Sequence, residues 1–316
     1  MTTSAVIQRT EMLSATLRLG AAPLALADYA TTGLMTVAVG PRGNGKTNAG
    51  LLIAEQLSEQ GWVSVLIDPE GELESLYGNT VSDAADLLDE LTHRKHQVLV
   101  VRAKDATEFI PYGRAILAVA DSLRKPIFIM IDEGQLFSAS NKKNRDIGEA
   151  AEIINEFAGR GRKRAFDLFI TALRYTGTLH RSLFSNKNLT LIGCQEDATS
   201  WSALAPQFKS SKIEYNDVNS LTTGEFFCFS RRGIEKVKMP MAVALAKVAL
   251  KANPVQRRLP TSFNQWSRAM SGIPDELLMA LDDQMVNFLG TVAGLATQQM
   301  LAGARALHDE KAMRAV

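Results

Sequence analysis

The sequence predicts an α/β fold: a mostly parallel sheet flanked by helices, with a helical C-terminal extension. Three observations carry this. Apolar runs of strand length recur at Leu34–Val39, Trp62–Ile67, Gln97–Arg102, Pro126–Ile131 and Phe166–Ala172. Stretches of helical character separate them, and such alternation marks parallel strands covered on both faces. From Ala242 onward the composition turns alanine-rich and helical. At 316 residues there is room for one large α/β domain with an appendage. The expected division is a lead-in over 1–33, a core over 34–240 and a helical extension over 241–316.

Residues 1–33 read as a short lead-in, with Val6–Leu19 mixing apolar and polar residues without firm periodicity. The first strand, Leu34–Val39, runs into a glycine-rich stretch. A helix follows from Asn48 to Gln60, with Leu51, Leu52, Ile53, Ala54 and Leu57 at helical spacing and Gly61 as its stop. The second strand ends in an acidic loop, Asp68-Pro-Glu-Gly-Glu72, on the sheet edge where α/β proteins bind ligands. Helices are expected over Val81–Thr92, Ala115–Arg124 and Lys142–Phe157, the last with Ile147, Ala150, Ile153, Ile154 and Phe157 on one side. It runs into an arginine-rich loop, Gly159–Arg164, before the strand Phe166–Ala172.

Further on, Ser182–Leu183 and Leu189–Cys194 are expected to continue the sheet. Thr223–Gly233 and Ile234–Met239 form a hairpin with Arg231 and Arg232 near its tip, and Phe226, Phe227 and Phe229 read as core. Pro254 and Pro260 punctuate a linker, and Pro274-Asp-Glu opens a long helix. Within 275–306, Leu278, Leu281, Met285, Phe288, Val292 and Leu295 alternate steps of three and four. That is a packing seam, for the chain's own core or for a protein partner. His93 and His96, without a nearby cysteine, read as a surface turn and not as a metal site.

The chemistry concentrates in two places. Gly40-Pro-Arg-Gly-Asn-Gly-Lys-Thr47 fits Gly-x-x-x-x-Gly-Lys-Thr, the phosphate-binding P-loop, and lies between a strand and a helix as that motif requires. Its glycines let backbone N–H groups surround phosphate oxygens, and the helix offers its positive end to the same anion. The candidate ATP-binding set is Gly40, Pro41, Arg42, Gly43, Asn44, Gly45, Lys46, Thr47 and Asn48. Lys46 would reach the β- and γ-phosphates, and Thr47 would ligate Mg²⁺. The second place is Asp132-Glu133, directly after the strand Pro126–Ile131, a Walker B pattern. Asp132 would hold Mg²⁺; Glu133 would orient and polarise the water attacking the γ-phosphate. Among Arg160, Arg162, Lys163 and Arg164, Arg162 is the leading candidate for an arginine finger, with Arg160 and Arg164 as contacts to DNA phosphates. Thr171 and Arg174, at the end of their strand, would sense the γ-phosphate, and Arg174 joins the catalytic candidates. Arg231 and Arg232 are further candidate DNA contacts.

The net charge of +1 conceals an asymmetry. Residues 64–159 hold 17 acidic against 10 basic residues, while residues 160–260 hold 17 basic against 7 acidic. A basic second half beside an ATP site points to a polyanion, with nucleic acid the leading candidate. The two cysteines, Cys194 and Cys228, lie in apolar strand-like runs, which suggests reduced thiols and a cytoplasmic setting. Residues 1–20 carry Arg9, Glu11 and Arg18 without an apolar core, so no signal peptide is expected. No apolar run is long enough to predict a membrane span.

Together these motifs resemble the HerA/FtsK group of P-loop ATPases, ring-forming DNA pumps. The resemblance rests on GPRGNGKT, on Leu66-Ile-Asp-Pro-Glu-Gly-Glu72, on Ile129-Met-Ile-Asp-Glu133, and on Gly161-Arg-Lys-Arg164 followed by Leu168–Arg174. Leu221-Thr-Thr-Gly-Glu225 adds a turn near the end of that domain. It covers residues 20–240. The resemblance implies a RecA-like P-loop NTPase core, a hexameric ring on double-stranded DNA, and Arg162 acting on a neighbouring subunit's nucleotide. One departure stands out: the group's sensor strand usually ends Thr-Gln-Arg, and here it reads Thr171-Ala-Leu-Arg174. Leu173 has no hydrogen-bonding group to replace the glutamine. The 33 leading residues also leave no room for the N-terminal barrel of the helicase-like members, which points to the stripped-down packaging and plasmid-transfer members. An ATP-dependent switch that recruits a partner through 275–306, with slow turnover, is the competing expectation.

Overall fold

Runs of Val, Ile and Leu in this chain satisfy their backbone groups by pairing side by side, and the pairing follows the predicted alternation. The computed structural model describes residues 16–252, apart from 21, 124–125, 140–144, 165, 176–178 and 197. The chain divides into two units, Met1–Val248 and Ala249–Val316, and every strand among the described residues lies in the first. A hairpin of β1 (Thr16–Leu19) and β2 (Ala22–Ala25) leads to β3 (Met35–Val39), α1 (Lys46–Glu59), β4 (Val63–Asp68), α2 (Glu74–Tyr77), α3 (Ala84–His93) and β5 (Val98–Arg102). Then come α4 (Ala106–Leu123), β6 (Ile127–Ile131), α5 (Arg145–Arg164), β7 (Phe166–Ala172), α6 (Arg181–Asn186) and β8 (Leu189–Ile192). The described part closes with α7 (Ala198–Leu204), α8 (Tyr215–Asn219), β9 (Glu225–Ser230), β10 (Gly233–Lys238) and α9 (Val243–Ala252).

Eight strands form one sheet in the order β10-β9-β8-β3-β7-β6-β4-β5. From β8 to β5 every neighbouring pair is parallel, and β9 and β10 add an antiparallel edge. The strand period of two sorts side chains between two layers. Val37, Val39, Ile129, Ile131, Leu168 and Ile170 pack with Phe109 and Ile116 of α4 and Ile153 and Phe157 of α5. On the opposite face, Ala38, Phe128, Met130 and Phe169 pack with Leu51, Leu52 and Ile53 of α1 and with Leu17, Leu19 and Leu24 of the hairpin. The sheet is therefore covered on both sides. The P-loop helix lies over its centre.

Several boundaries differ from expectation, each for a local reason. The end of the lead-in is a paired hairpin: β1 alternates exposed and buried residues, a period too short at four residues to stand out. The helix expected from Val81 begins at Ala84, because the Asp83 carboxylate accepts from the Ala85 and Asp86 amides as an N-cap. Val81 instead donates its N–H to the Val100 carbonyl. Replacing Asp83 by Ala is expected to destabilise the fold by about 0.5–2 kcal/mol, read as a lower denaturation midpoint at unchanged m-value. The helix expected from Ala115 starts already at Ala106 and holds Pro111 within it; burial of Ala106, Phe109 and Ile110 outweighs the lost backbone bond.

Two further differences concern candidate residues. The arginine-rich stretch Gly159–Arg164 is not a loop but the last turns of α5. Ser182–Leu183 is not strand but part of α6, where the His180 side chain accepts from the Ser182 amide and starts a helix. The seam over 275–306, the linker prolines Pro254 and Pro260, and Lys142 lie outside the described residues.

Candidate nucleotide site

The P-loop closes between β3 and α1. Gly45 caps α1 at φ 93°, a left-handed conformation that glycine adopts without strain. The loop is braced from outside: Gly224 N–H donates to the Asn44 carbonyl at 2.9 Å, and the Thr223 hydroxyl to the Gly43 carbonyl at 3.2 Å. Both donors belong to the turn Leu221–Glu225, which holds the loop from the β9 side. Lys46 is buried, and its Nζ donates to the Gly40 and Pro41 carbonyls, both at 2.8 Å. Burial lowers the Lys46 pKa, while the charges of Glu133 and Asp132 pull it back up.

Across the site, β6 delivers Asp132 and Glu133. The Thr47 hydroxyl donates to Asp132 Oδ2 at 2.8 Å. Asp132 Oδ1 accepts from the Thr171 hydroxyl at 2.7 Å and from the Glu133 N–H at 3.1 Å. That same N–H reaches Thr171 Oγ1 at 2.8 Å. Thr171 therefore holds the two acids in place. Glu133 sits in the left-handed region at φ 48°, and Gln135 Nε2 donates to its Oε2. Sequence reasoning missed Gln135 as a partner. Its one signal is its place two residues beyond Glu133, in the turn Gly134–Leu136.

The acidic loop after β4 is organised by its first residue. Asp68 is buried and accepts from Gly71 N–H at 2.9 Å and Leu73 N–H at 2.7 Å. Glu70 and Glu72 are left exposed on the rim. Arg42, Lys46, Thr47, Asp132, Glu133 and the acidic loop line a cleft of about 460 Å³. The paired Thr47 hydroxyl and Asp132 carboxylate are hard oxygen donors. Among the described residues no cluster of three His, Cys, Asp or Glu side chains forms a metal cage. That donor set fits Mg²⁺, which takes one or two protein oxygens beside phosphate and water.

The remaining candidates fall in different places. Asn48 lines the cleft, but its amide is engaged with the segment after β10, donating to Pro240 O at 2.9 Å and accepting from Ala242 N–H at 2.8 Å. Arg174 is exposed, two residues beyond β7, next to half-buried Leu173. Arg160, Arg162 and Arg164 all belong to the C-terminal end of α5. Arg231 and Arg232 turn toward the N-terminal segment. Arg231 donates to Asp28 O at 2.5 Å and lies over the Tyr29 ring, and Arg232 pairs with the Asp28 carboxylate at 3.0 Å. His93 and His96 pair with Asp89 and Glu90 at the surface, and both cysteines are free thiols.

No protein-family model matches the chain, and no curated relative matches it. Solved structures do. The genome packaging NTPase B204 from Sulfolobus turreted icosahedral virus 2, in complex with ATP-gammaS, is similar over 66% of this chain and 98% of its own, with a TM-score of 0.51 at 15% identity. VirB4 of Thermoanaerobacter pseudethanolicus is similar over 72% of this chain and 96% of its own, with a TM-score of 0.55 at 10% identity. The fold is that of a P-loop NTPase, shared with these two structures. In a P-loop NTPase the Lys46 and Asp132 strands stand near each other, and here β7 alone lies between β3 and β6. The intervening strand contributes Thr171, which holds Asp132 and Glu133, and the Thr47–Asp132 hydrogen bond joins the two halves of the site. No helix among the described residues is long and apolar enough to cross a membrane.

Proposed function

We propose that the protein is an ATP-hydrolysing motor that moves double-stranded DNA, working in the cytoplasm as a ring of copies, with hexamer as the expected size. The observation that carries the ATPase reading is the convergence of Lys46, Thr47, Asp132 and Glu133 on one cleft, with Thr47 and Asp132 joined at 2.8 Å. Loop N–H groups, the α1 N-terminus and Lys46 bind the phosphates. Thr47 and Asp132 hold Mg²⁺, which when bound neutralises charge developing on the transferred phosphoryl group. Glu133 takes the proton of the attacking water, and ADP and phosphate are released. Arg162, at the end of α5, completes the site of a neighbouring copy, and Arg174, beyond β7, senses the γ-phosphate; Arg160 and Arg164 contact DNA. The ATPase core spans 34–240, and 241–316 is an extension whose 275–306 seam suits a protein partner.

Support for DNA as the track comes from the basic residues 160–260 and from the fold shared with a packaging NTPase. The test is ATP turnover with and without linear duplex. Duplex is expected to raise turnover, and its apparent affinity to fall with salt at a slope of about −0.9 per phosphate contacted. Turnover indifferent to duplex at every salt concentration would overturn the motor. It would leave an ATP-dependent switch, which the apolar Leu173 at the sensor position also suits.

A further inference from the structure

Resting on the reading of Glu133 as the base, we propose that Gln135 is the positioning residue that aims its carboxylate at the attacking water. A general base does two things at once: it holds a fixed direction and keeps one oxygen free for a proton. Glu133 alone meets neither need. Its backbone is in the left-handed region, and the polar contacts made around it by Asp132 and Thr171 engage its N–H, not its carboxylate. Gln135 supplies the missing contact. Its Nε2 donates to Glu133 Oε2, which fixes the rotamer and leaves Oε1 to receive the proton.

The surroundings of Gln135 support this assignment. Its own Oε1 is buried and has no hydrogen-bond partner. Such an orphaned acceptor is unfavourable, so the side chain is held in place by what its nitrogen does. The reverse amide orientation would set a carbonyl oxygen against a carboxylate, two acceptors with no proton between them. The turn carrying it is also pinned. A Cβ at Gly134 would lie 2.3 Å from Ile170 Cγ1 and 2.9 Å from the Thr171 carbonyl, so this turn sits hard against β7. The geometry couples the Glu133 carboxylate to the same strand that holds Asp132.

The test compares three substitutions by steady-state kinetics and by binding of a non-hydrolysable ATP analogue. Gln135→Ala is expected to lower kcat by on the order of 10²-fold, as a misaimed catalytic group does, at unchanged KM and unchanged analogue affinity. Gln135→Glu keeps the size of the side chain but sets an acceptor where the N–H donor stood, so it is expected to lower kcat as Gln135→Ala does, at unchanged KM and unchanged analogue affinity. Glu133→Gln is the reference. If it abolishes turnover and Gln135→Ala turns over at the wild-type rate, the positioning role is overturned and the base stands. Loss of analogue affinity together with kcat in Gln135→Ala, or wild-type turnover in Gln135→Glu, also overturns it. Full turnover in Glu133→Gln would sink the base assignment and this inference with it.

Discussion

Glu133→Gln is expected to lower kcat for ATP by a factor of about 10²–10⁴, the range that a positioned general base contributes, and to leave nucleotide binding intact. The substitution keeps the size of the side chain but removes the oxygen that accepts a proton. Nucleotide is held elsewhere: by the loop, by Lys46 and by the Thr47–Asp132 pair at 2.8 Å. None of these contacts involves the Glu133 side chain. The Glu133 N–H, which does hold Asp132 and Thr171, survives the change. A filter or fluorescence assay should therefore find wild-type affinity for ATP, beside turnover at background. If affinity falls in step with kcat, Glu133 shapes the pocket and another group is the base. If kcat stays within a few-fold of wild type, the water is activated without it.

This separation of roles also explains what was legible in the sequence. The P-loop and the Asp132-Glu133 pair announce themselves because their chemistry needs particular residue types at fixed local spacing. The strands were legible because a buried parallel strand is a continuous apolar run, and β3, β4, β5, β6 and β7 each fall within one residue or two of such a run. What stayed hidden depends on contacts between distant segments. The brace of Gly43 and Asn44 by Thr223 and Gly224 spans about 180 residues, and no local pattern records it. Arg231 and Arg232 read as free basic residues at a hairpin tip, because Asp28, some 200 residues away, does not show itself as their partner. The stretch Gly159–Arg164 read as a loop on its two glycines and its charge. In the fold, Phe157 and Ala158 are buried against the sheet, and the helix they anchor carries on through those residues to Arg164. Tertiary burial overrode local propensity.

A distant polar partner, equally invisible in the sequence, sets the largest expected effect on stability. Asp167 near the start of β7 is buried among apolar neighbours. Its Oδ1 accepts from the Leu34 N–H and its Oδ2 from the Trp62 indole N–H, both at 2.7 Å. One carboxylate thereby fixes the residue before β3 and the residue before β4, on either side of the sheet's centre. Asp167→Ala removes both acceptors at once. Each buried donor left without a partner costs about 1–3 kcal/mol, so for the two donors a loss of about 2–6 kcal/mol is expected. Asp167→Asn keeps one acceptor oxygen and turns the other into a donor facing a donor, so it is expected to fall between the two. Urea denaturation followed by tryptophan emission measures the loss directly, and Trp62 emission should shift as its indole loses the carboxylate. A loss below about 1 kcal/mol in Asp167→Ala would mean that these donors find other partners. A loss within the expected range would mean that the strand carrying the P-loop is registered in the sheet by a side chain at the edge opposite the nucleotide.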